Sequence, residues 1–390
     1  MNFAFTAQQD AFRRELCRLL AQELSPWNRA AHADPAEYSG LTPQFASSVR
    51  RKLGEAGFIG QSVPTEYGGS GRELVYDCIF AEEVEYHGLL TAEGTITHLP
   101  HALLAFGSPE HKRRLLPAIC RGELRLFLGY SEPEAGSDLA ALQTRAERHG
   151  EGFRISGNKL YASDAHLADY GWVAARTGQG TSRHHDISLF LVDMKSPGVS
   201  VTSHQTIAGW NHPEVFFEDV YVPTDALIGE MGGAWRHVMY ALDYERLFLA
   251  SPGSVARSLH RLLDCCRKGP RPRMADPVVA HRLAELSVEV EGTRLLYYWA
   301  ASGCARGEHP LPQASLALLV KRETARRIDR AMVEILGQYA QLRPGSPWAP
   351  AGGEAEHEYR ENLYFQFAAG GFDITRNVVA ARGLGLPRTP

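Results

Sequence analysis

The chain has 390 residues, of which 44% are hydrophobic and 22% are charged, and its formal net charge is -4. This composition is typical of a soluble folded protein and excludes a collagen-like or disordered chain. The slightly negative charge argues against a nucleic acid as partner, because such binding depends on basic side chains that neutralise phosphates. The length exceeds that of one ordinary core and predicts two or three domains.

Membrane and export signals are missing from the sequence. No apolar run approaches the roughly 18 residues of a membrane-spanning helix, and the opening MNFAFTAQQD lacks the basic and then apolar order of a secretory signal. We therefore expect a cytoplasmic protein without a membrane partner. Six cysteines are scattered without a Cys-x-x-Cys pair, which predicts free thiols.

Helical signals dominate residues 1–123, for which we predict an N-terminal all-α domain. The predicted helices run from Thr6 to Ser25, from Thr42 to Gly57, from Ile79 to Tyr86 and from His111 to Ile119. The first opens with the capping-box pair Thr6 and Gln9, and we expect it to end at Ser25 because Pro26 follows.

Residues 124–230 predict a middle β domain, because short runs of β-branched and aromatic residues alternate with Gly, Asn, Asp and Pro. Strands are predicted over 124–130, 153–156, 172–174, 187–192, 199–203 and 215–222. Residues 231–390 return to helical patterns and predict a C-terminal α-helical domain, with helices over 235–249, 278–299 and 316–336. The fold class expected from this order is α+β.

Several common site motifs are missing from the sequence, namely G-x-G-x-x-G, the P-loop, H-E-x-x-H and G-x-S-x-G. His98 and His101 in the string HLPH are the nearest approach to a metal pair. Pro100 makes their helical spacing doubtful, and no third ligand lies near them in the sequence. We predict no metal site.

One acidic residue interrupts an apolar stripe on the helix predicted over 235–249. Glu245 follows Trp235, Val238 and Leu242 at alternating steps of three and four residues. A carboxylate on such a stripe is buried or faces a cavity, and burial without a partner raises its pKa toward the range of a general base. An ion pair within the core, with Arg246 for example, is the alternative interpretation.

The segment SEPEAGSD at 131–138 combines small residues, which allow a ligand close to the backbone, with the hydroxyls of Ser131 and Ser137. Together with seven other strings it resembles the acyl-CoA dehydrogenase family along nearly the whole chain. The other strings are VPTEYGG at 63, FGSPEHKRRLLPAICRGE at 106, SGNKLYASDAHLADY at 156, ISLFLVD at 187, VFFEDVYVPTDALIGE at 215, LDYERLFLA at 242 and DITRNVVAARGLGLPR at 373.

The resemblance implies an FAD cofactor held between the β domain and the C-terminal helices. The positions that it assigns to the cofactor are Tyr130, Ser131, Ser137, Tyr161, Ser163, Gly337, Gly371 and Asp373. Tyr161, which stands where Trp is commoner, and Ser163 match positions that pack on the flavin ring and bond near its N5 atom. Ser137, Asp243 and Arg246 match positions along the substrate.

The family places its catalytic base at one of two positions, in the loop before the C-terminal motif or on the helix that carries LDYER. The loop position is Ala369 in this chain, whereas the helix position is Glu245. The resemblance therefore implies that Glu245 is the base, as in the isovaleryl and long-chain branches of the family.

The implied reaction is the α,β-dehydrogenation of an acyl thioester carried by CoA or an acyl carrier protein, with an electron-accepting flavoprotein as redox partner. A flavin oxidase or N-oxygenase of the same fold, and a non-catalytic subunit of a heteromer, are the alternatives.

Two familiar cofactor motifs are absent. Residues 265–286 lack Arg-x-x-Phe-Gly, and EILGQ at 334–338 replaces Gln-x-x-Gly-Gly. We expect a homo-oligomer, a dimer or a tetramer, with a heteromer as the alternative.

Overall fold

The computed structural model describes residues 4–33, 43–89, 93–178, 182–207, 211–268, 273–306, 311–343 and 346–387. The chain divides into two compact units. The helical unit consists of Met1–Val49, Glu73–Ala92 and Asp243–Pro390, and the sheet unit consists of Arg50–Arg72 and Glu93–Leu242. Each is described below by itself.

The α-helices of the described residues are long in the C-terminal part of the chain and shorter near its start. They are α1 Ala7–Ala33, α2 Pro43–Glu55, α3 Leu74–Tyr86, α4 Leu99–Phe106, α5 Pro109–Cys120, α6 Ala234–Leu249, α7 Gly253–Lys268, α8 Pro277–Ala305, α9 Leu311–Leu336, α10 Glu354–Phe365 and α11 Phe372–Val378.

The predicted end of the first helix at Ser25 is wrong, because α1 continues to Ala33. A proline removes a single N–H from the helical ladder at a cost of about 3 kcal/mol, and a long helix retains its other bonds. Helix α5 likewise contains Pro117. Helices α4, α7, α10 and α11 are additional to those predicted.

The strands of the sheet unit form one mixed sheet. They are β1 Leu126–Gly129, β2 Arg145–His149, β3 Gly152–Lys159, β4 Tyr170–Arg176, β5 Ile187–Asp193, β6 Val199–Gln205, β7 Asn211–Pro223 and β8 Leu227–Ile228. Their order is β6-β7-β3-β2-β4-β5-β8, and β1 lies parallel to β4. All six predicted strands are present, whereas β2 and β8 are additional.

The core of the sheet unit lies on the face where large apolar side chains alternate along the strands. Phe153 and Ile155 of β3 pack there with Phe127 of β1 and with Phe190 of β5. Strand β5 is apolar at nearly every position and is buried from Ile187 to Val192. Such a continuous run is typical of a strand that is covered on both faces.

The helical unit is held by a core between α7, α8 and α9. Leu259 and Leu262 of α7 meet Leu283 of α8 and Ile328 and Met332 of α9. These apolar residues repeat at helical spacing and give each helix one buried stripe.

A largely buried lysine, with 12% of its side chain exposed, links three helices of the helical unit. Lys321 on α9 donates to Glu85 on α3 at 2.5 Å and to the carbonyl oxygen of Leu249 on α6 at 2.9 Å. The second bond satisfies a carbonyl at the end of α6, where the helix supplies no partner of its own. It fixes the end of the helix that carries Glu245.

The order of helices, sheet and helices confirms the predicted α+β class. The domain boundaries after residues 123 and 230 stay predictions. Among the described helices, none combines the length and the hydropathy needed to cross a membrane.

Candidate active site

The side chain of Glu245 lies on the C-terminal half of α6 and is half-buried. Val238 of the predicted stripe is buried, while Trp235, Leu242 and Leu249 share the partial exposure of Glu245. Burial raises the pKa of Glu245 to about 7, and the charges of Arg246 and Arg322 oppose that rise. A carboxyl with this pKa can accept a proton near neutral pH.

Arg246 forms its ion pair with Asp243 and not with Glu245. Its Nη1 atom donates to Oδ1 of Asp243 at 2.8 Å, and both side chains are buried. Within the described part of the chain, no group lies at hydrogen-bond or ion-pair distance from the Glu245 carboxylate. The alternative interpretation of Glu245 as a structural ion pair with Arg246 is therefore wrong. Asp243 and Arg246 stay predicted substrate contacts.

Arg322 on α9 holds the backbone turn that contains Ala369. Its Nη1 atom donates to the Gly370 carbonyl oxygen at 2.8 Å, and its Nη2 atom donates to the Ala368 carbonyl oxygen. Ala369, between them, has a φ of 50° in the left-handed region. The turn is close to α6, since a Cβ atom at Gly370 would lie 4.0 Å from Nη2 of Arg246.

The remaining candidate residues of the helical unit lie at helix ends. Gly337 follows α9 with a φ of 60°, and Gly371 directly precedes α11. The Asp373 side chain, in the first turn of α11, is 95% exposed and lies 3.8 Å from Nη1 of Arg376. Their predicted contacts with the cofactor stay predictions.

In the sheet unit, the backbone brings the start of SEPEAGSD beside the string LYASD. The Leu160 amide donates to the Ser131 carbonyl oxygen at 2.9 Å, so Ser131 and Tyr161 are near neighbours. The Tyr161 side chain is 56% exposed, and its φ is 57°. Left-handed backbone at a residue with a bulky side chain is uncommon and persists where surrounding bonds enforce it.

Those surrounding bonds involve the next residues of LYASD. The Ala162 amide donates to the Pro213 carbonyl oxygen at 3.0 Å, and the Ser163 amide donates to the Tyr161 carbonyl oxygen at 2.9 Å. Ser163 and Ser137 are exposed, whereas Tyr130 is buried. Together these bonds constrain the backbone that carries an exposed aromatic ring and nearby hydroxyls.

A buried ion pair that the sequence analysis missed supports this region. Lys159 donates to Oε1 of Glu132 at 2.7 Å, and Glu132 also accepts from the amides of Gln143 and Thr144. Burial lowers the pKa of Lys159 to about 8 against the effect of Glu132. Although burial opposes it, Lys159 and the two amides hold the pKa of Glu132 below its ordinary value.

The ion pair explains how an exposed loop keeps one shape. Lys159 directly precedes LYASD, and Glu132 is the second residue of SEPEAGSD. Lys159 also donates to the Tyr130 carbonyl oxygen at 3.3 Å. A fully hydrogen-bonded buried pair is rigid, and breaking it leaves an uncompensated charge. Both strings were visible in the sequence, but their pairing was not.

These features fit the isoalloxazine ring of a flavin. An exposed aromatic ring in a constrained conformation suits stacking against a flat heterocycle, and Ser131, Ser137 and Ser163 offer hydroxyls on the same segments. For the adenine side, the sequence lacks the two motifs named above.

The HLPH histidines lie at the start of α4. Burial lowers the pKa of His98 to about 3 and that of His101 to about 4, so both are neutral. In the part of the chain that the structure describes, no group of three or more His, Cys, Asp or Glu side chains could hold a metal ion.

Three family models match consecutive parts of the chain. The acyl-CoA dehydrogenase N-terminal domain matches residues 6–123, the middle domain matches residues 128–220, and the C-terminal domain matches residues 232–384.

Known proteins resemble the chain over its full length. It is 32% identical to the acyl-CoA dehydrogenase FadE26 of Mycobacterium tuberculosis, over 100% of this chain and 99% of that protein. A solved structure, the Tcur3481-Tcur3483 steroid ACAD, is 30% identical with a TM-score of 0.89, and 100% of both chains is covered. The ChsE4-ChsE5 complex from Mycobacterium tuberculosis is 31% identical with a TM-score of 0.89 and the same coverage. The chain therefore belongs to the acyl-CoA dehydrogenase family and is an FAD-dependent oxidoreductase.

Proposed function

We propose that this chain oxidises an acyl thioester to its α,β-enoyl form, with Glu245 as the base that removes the α-proton. Bound FAD supplies the two-electron acceptor for the hydride that leaves the β-carbon. Glu245 takes the proton on its carboxylate, and the electron pair of the broken α-C–H bond becomes part of the new double bond as the hydride leaves. One base is sufficient for this reaction when the carboxylate is deprotonated and close to the α-carbon.

The observation that carries the proposal is the half-buried Glu245 carboxylate, which has no ion-pair or hydrogen-bond partner among the described residues. By contrast, the carboxylate of the neighbouring Asp243 is paired with Arg246. An unpaired carboxylate in a partly buried place costs stability, and such groups are concentrated at functional sites. The other position that the family uses carries Ala369, which cannot accept a proton.

The first prediction concerns Glu245→Gln, which keeps the shape of the side chain and removes the base. We expect the rate of anaerobic flavin bleaching by an acyl-CoA substrate to fall by on the order of 10²- to 10⁴-fold, with flavin content unchanged. The wild-type rate should rise with pH through about 7, because burial raises the pKa of Glu245 to that value and only the ionised form is a base.

Glu230→Gln is the matched control, since the Glu230 side chain is 68% exposed and pairs with Arg236 at the surface. The control should bleach at the wild-type rate. Near wild-type bleaching by Glu245→Gln would show that another group is the base. Oxygen consumption during turnover would instead favour a flavin oxidase.

The solved structures that resemble this chain suggest an acyl group and a carrier to test. One of the two solved structures described above is a steroid ACAD. We propose a bulky acyl group of this kind, carried by CoA, as the first substrate to test. A bleaching panel that compares straight-chain, branched and steroid-side-chain CoA thioesters, each also offered on an acyl carrier protein, would rank these candidates.

We also propose that a second, different chain completes the adenine side of the cofactor site. This chain lacks Arg-x-x-Phe-Gly in residues 265–286 and Gln-x-x-Gly-Gly at 334–338. The ChsE4-ChsE5 neighbour is described as a complex, and the steroid ACAD is likewise named for two proteins. The missing motifs are the observation that favours a heteromer over the homo-oligomer first expected.

A further inference from the structure

The last turn of α6 begins directly after Glu245, and its four carbonyl oxygens lie beyond the reach of the helix's own amides. The backbone that follows the helix satisfies three of them, through the amides of Ala250 and Ser251. The fourth belongs to Leu249 and accepts from Nζ of Lys321 on α9 at 2.9 Å. A side chain from another helix therefore completes the end of α6.

One residue connects Lys321 to the backbone of Glu245. In an α-helix each amide pairs with the carbonyl oxygen four residues earlier, so the Leu249 amide pairs with the Glu245 carbonyl oxygen. Leu249 is thus bound through its amide to Glu245 and through its carbonyl oxygen to Lys321. A positive charge at the C-terminal end of a helix is also favourable for the helix dipole.

Lys321 is itself held by α3. Its Nζ atom lies 2.5 Å from Oε1 of Glu85, and both side chains are largely buried. The backbone carbonyl oxygen of Glu85 accepts from Nη1 of Arg257 on α7 at 3.0 Å. Gly253 begins α7 so close to α3 that a Cβ atom there would lie 2.3 Å from the Glu82 carbonyl oxygen. The corner between α6 and α7 is therefore held against α3 by several contacts.

A buried ion pair of this kind contributes to geometry more than to stability. Apolar residues of similar volume often stabilise a protein equally well, because both charges lose their hydration on burial. A buried polar network whose bonds are satisfied is rigid, however, and it fixes the positions of its members. The bond from Lys321 therefore fixes one carbonyl oxygen of α6, which an apolar contact would not do.

We infer that Lys321 is a positioning residue, which anchors the last turn of α6 to α3 and thereby holds the Glu245 carboxylate in place for removal of the α-proton. This inference rests on the proposed role of Glu245 and adds a second residue to it. Lys321 acts through Leu249 and does not take part in the proton transfer. A displacement of about 1 Å at a reacting group can lower a rate about 100-fold, so the anchor has a measurable effect.

Three substitutions separate the bond to α6 from the ion pair. Lys321→Met keeps most of the side-chain length and removes the charge and both hydrogen bonds, whereas Lys321→Arg keeps a cation with N–H donors for both partners. Glu85→Gln removes the charge of the partner and leaves Lys321 bound to Leu249. Any loss that belongs to the anchor should appear in the first variant and not in the other two.

Arg261→Met is the matched control for the loss of a cation between helices. The Arg261 guanidinium lies 2.6 Å from Oε2 of Glu354 and 2.8 Å from Oε1 of Glu358, and these ion pairs join α7 to α10. This variant should lose stability without a change in the bleaching rate per bound flavin. It therefore shows how much of any effect comes from general destabilisation.

Two measurements are made on the flavin-containing protein of each variant. Hydrogen–deuterium exchange follows the amides of residues 243–252, and anaerobic bleaching by the acyl-CoA thioester that the wild type oxidises fastest gives a rate per bound flavin. In Lys321→Met we expect exchange at the end of α6 to be about tenfold faster or more, and bleaching to be about 10- to 100-fold slower. Lys321→Arg should recover most of both losses.

Exchange at the wild-type rate in Lys321→Met would overturn the inference. Faster exchange with an unchanged bleaching rate per bound flavin would overturn it as well, because the bond would then be merely structural. An equal rate loss in Arg261→Met would do the same. If Lys321→Met does not fold because Glu85 is left charged, the double variant with Glu85→Gln removes both charges and is compared with Glu85→Gln under the same expectations.

The exchange measurement stands apart from the proposed function. Bleaching retained by Glu245→Gln would refute the base, whereas exchange in Lys321→Met would still report whether Lys321 holds the end of α6. Failure of the anchor and failure of the base are therefore distinguishable.

Discussion

Asp329 on α9 is a buried carboxyl whose pKa is raised well above its ordinary value in the folded protein. The side chain is buried, and Asn362 on α10 donates to both carboxyl oxygens, at 3.0 and 2.9 Å. Burial raises its pKa to about 8, with Glu358 and Glu361 adding to the rise and Asn362 opposing it. In an unfolded chain the pKa of Asp is about 3.9. Unfolding therefore releases a proton between these two values.

The second prediction follows from this linkage. Because the folded state binds the proton more tightly, the contribution of Asp329 to stability falls as pH rises from about 4 to 8, by up to about 1.4 kcal/mol for each pH unit. Asp329→Asn is neutral at every pH and keeps an oxygen that can accept from Asn362. We expect its melting temperature to match the wild type near pH 4 and to exceed it increasingly toward pH 8.

The control for this prediction is Asp264→Asn on α7, because the Asp264 side chain is 59% exposed and pairs with Lys268 at the surface. It should show no pH-dependent gain. Thermal unfolding of the three proteins at several pH values would decide: an advantage of Asp329→Asn that does not grow between pH 5 and pH 8 contradicts the raised pKa.

Sequence reasoning singled out Glu245 as a candidate base because its signal is local. A carboxylate on an apolar helical stripe is visible in one stretch of the chain, and the structure gives this residue a pKa of about 7. Glu132 and Lys159 form an ion pair whose members are 27 residues apart, so no local sequence pattern predicts it. Lys321 lies 72 residues from its partner Leu249 and was invisible for the same reason.

At the scale of elements, sequence reasoning succeeded where an apolar pattern continues along the element. Helices α8 and α9 and strand β5 carry such patterns and were predicted. Helix α7 has Val255, Leu259 and Leu262 at helical spacing, but the Ser and Arg residues between them make the apolar pattern less clear. Strand β2, RAERH, contains one buried residue and takes its shape from pairing with β3. Such elements depend on tertiary contacts rather than on their own pattern.

The turn that contains Ala369 supports the third prediction, which concerns Ala369→Gly. A left-handed conformation costs a residue with a side chain about 1–2 kcal/mol, while glycine adds a smaller entropic cost of about 0.5–1 kcal/mol in the unfolded state. With a φ of 50° at Ala369, the two effects leave a neutral or slightly stabilised protein. Urea unfolding of the purified variant measures the outcome.

Ala368→Gly is the matched control, since Ala368 precedes the left-handed residue and has no positive φ to relieve. It bears only the entropic cost, so it should be less stable than Ala369→Gly by about 1 kcal/mol or more. If the two variants lose equal stability, the turn does not hold Ala369 in the left-handed region in solution.

For the whole molecule, the order of helical, β and helical segments was sufficient to predict the fold class. The sheet order β6-β7-β3-β2-β4-β5-β8 was not predictable, because it depends on crossovers between strands distant in the sequence. The resemblance to the family depends likewise on many weak strings together, of which SEPEAGSD and LDYER are two. Each string alone is compatible with an ordinary turn or helix.

The last prediction concerns the composition of the active protein. The exposed Tyr161 ring and the hydroxyl groups near it fit the ring end of FAD, whereas the motifs for the adenine end are absent from 265–286 and 334–338. A cofactor held at one end has lost part of its binding energy, so its dissociation constant is larger. We expect this chain, purified alone, to contain much less than one FAD per chain.

Co-purification with a second acyl-CoA dehydrogenase-like chain that carries both missing motifs should restore the flavin and form a stable complex. Light scattering gives the mass of each species, and absorbance of the released flavin gives its stoichiometry. Changing the motif arginine of that second chain to alanine is the control, and it should return the complex to the flavin-poor state without dissociating it. A homo-oligomer of this chain that retains one FAD per subunit would refute the heteromer, because residues of this chain alone would then bind the adenine end.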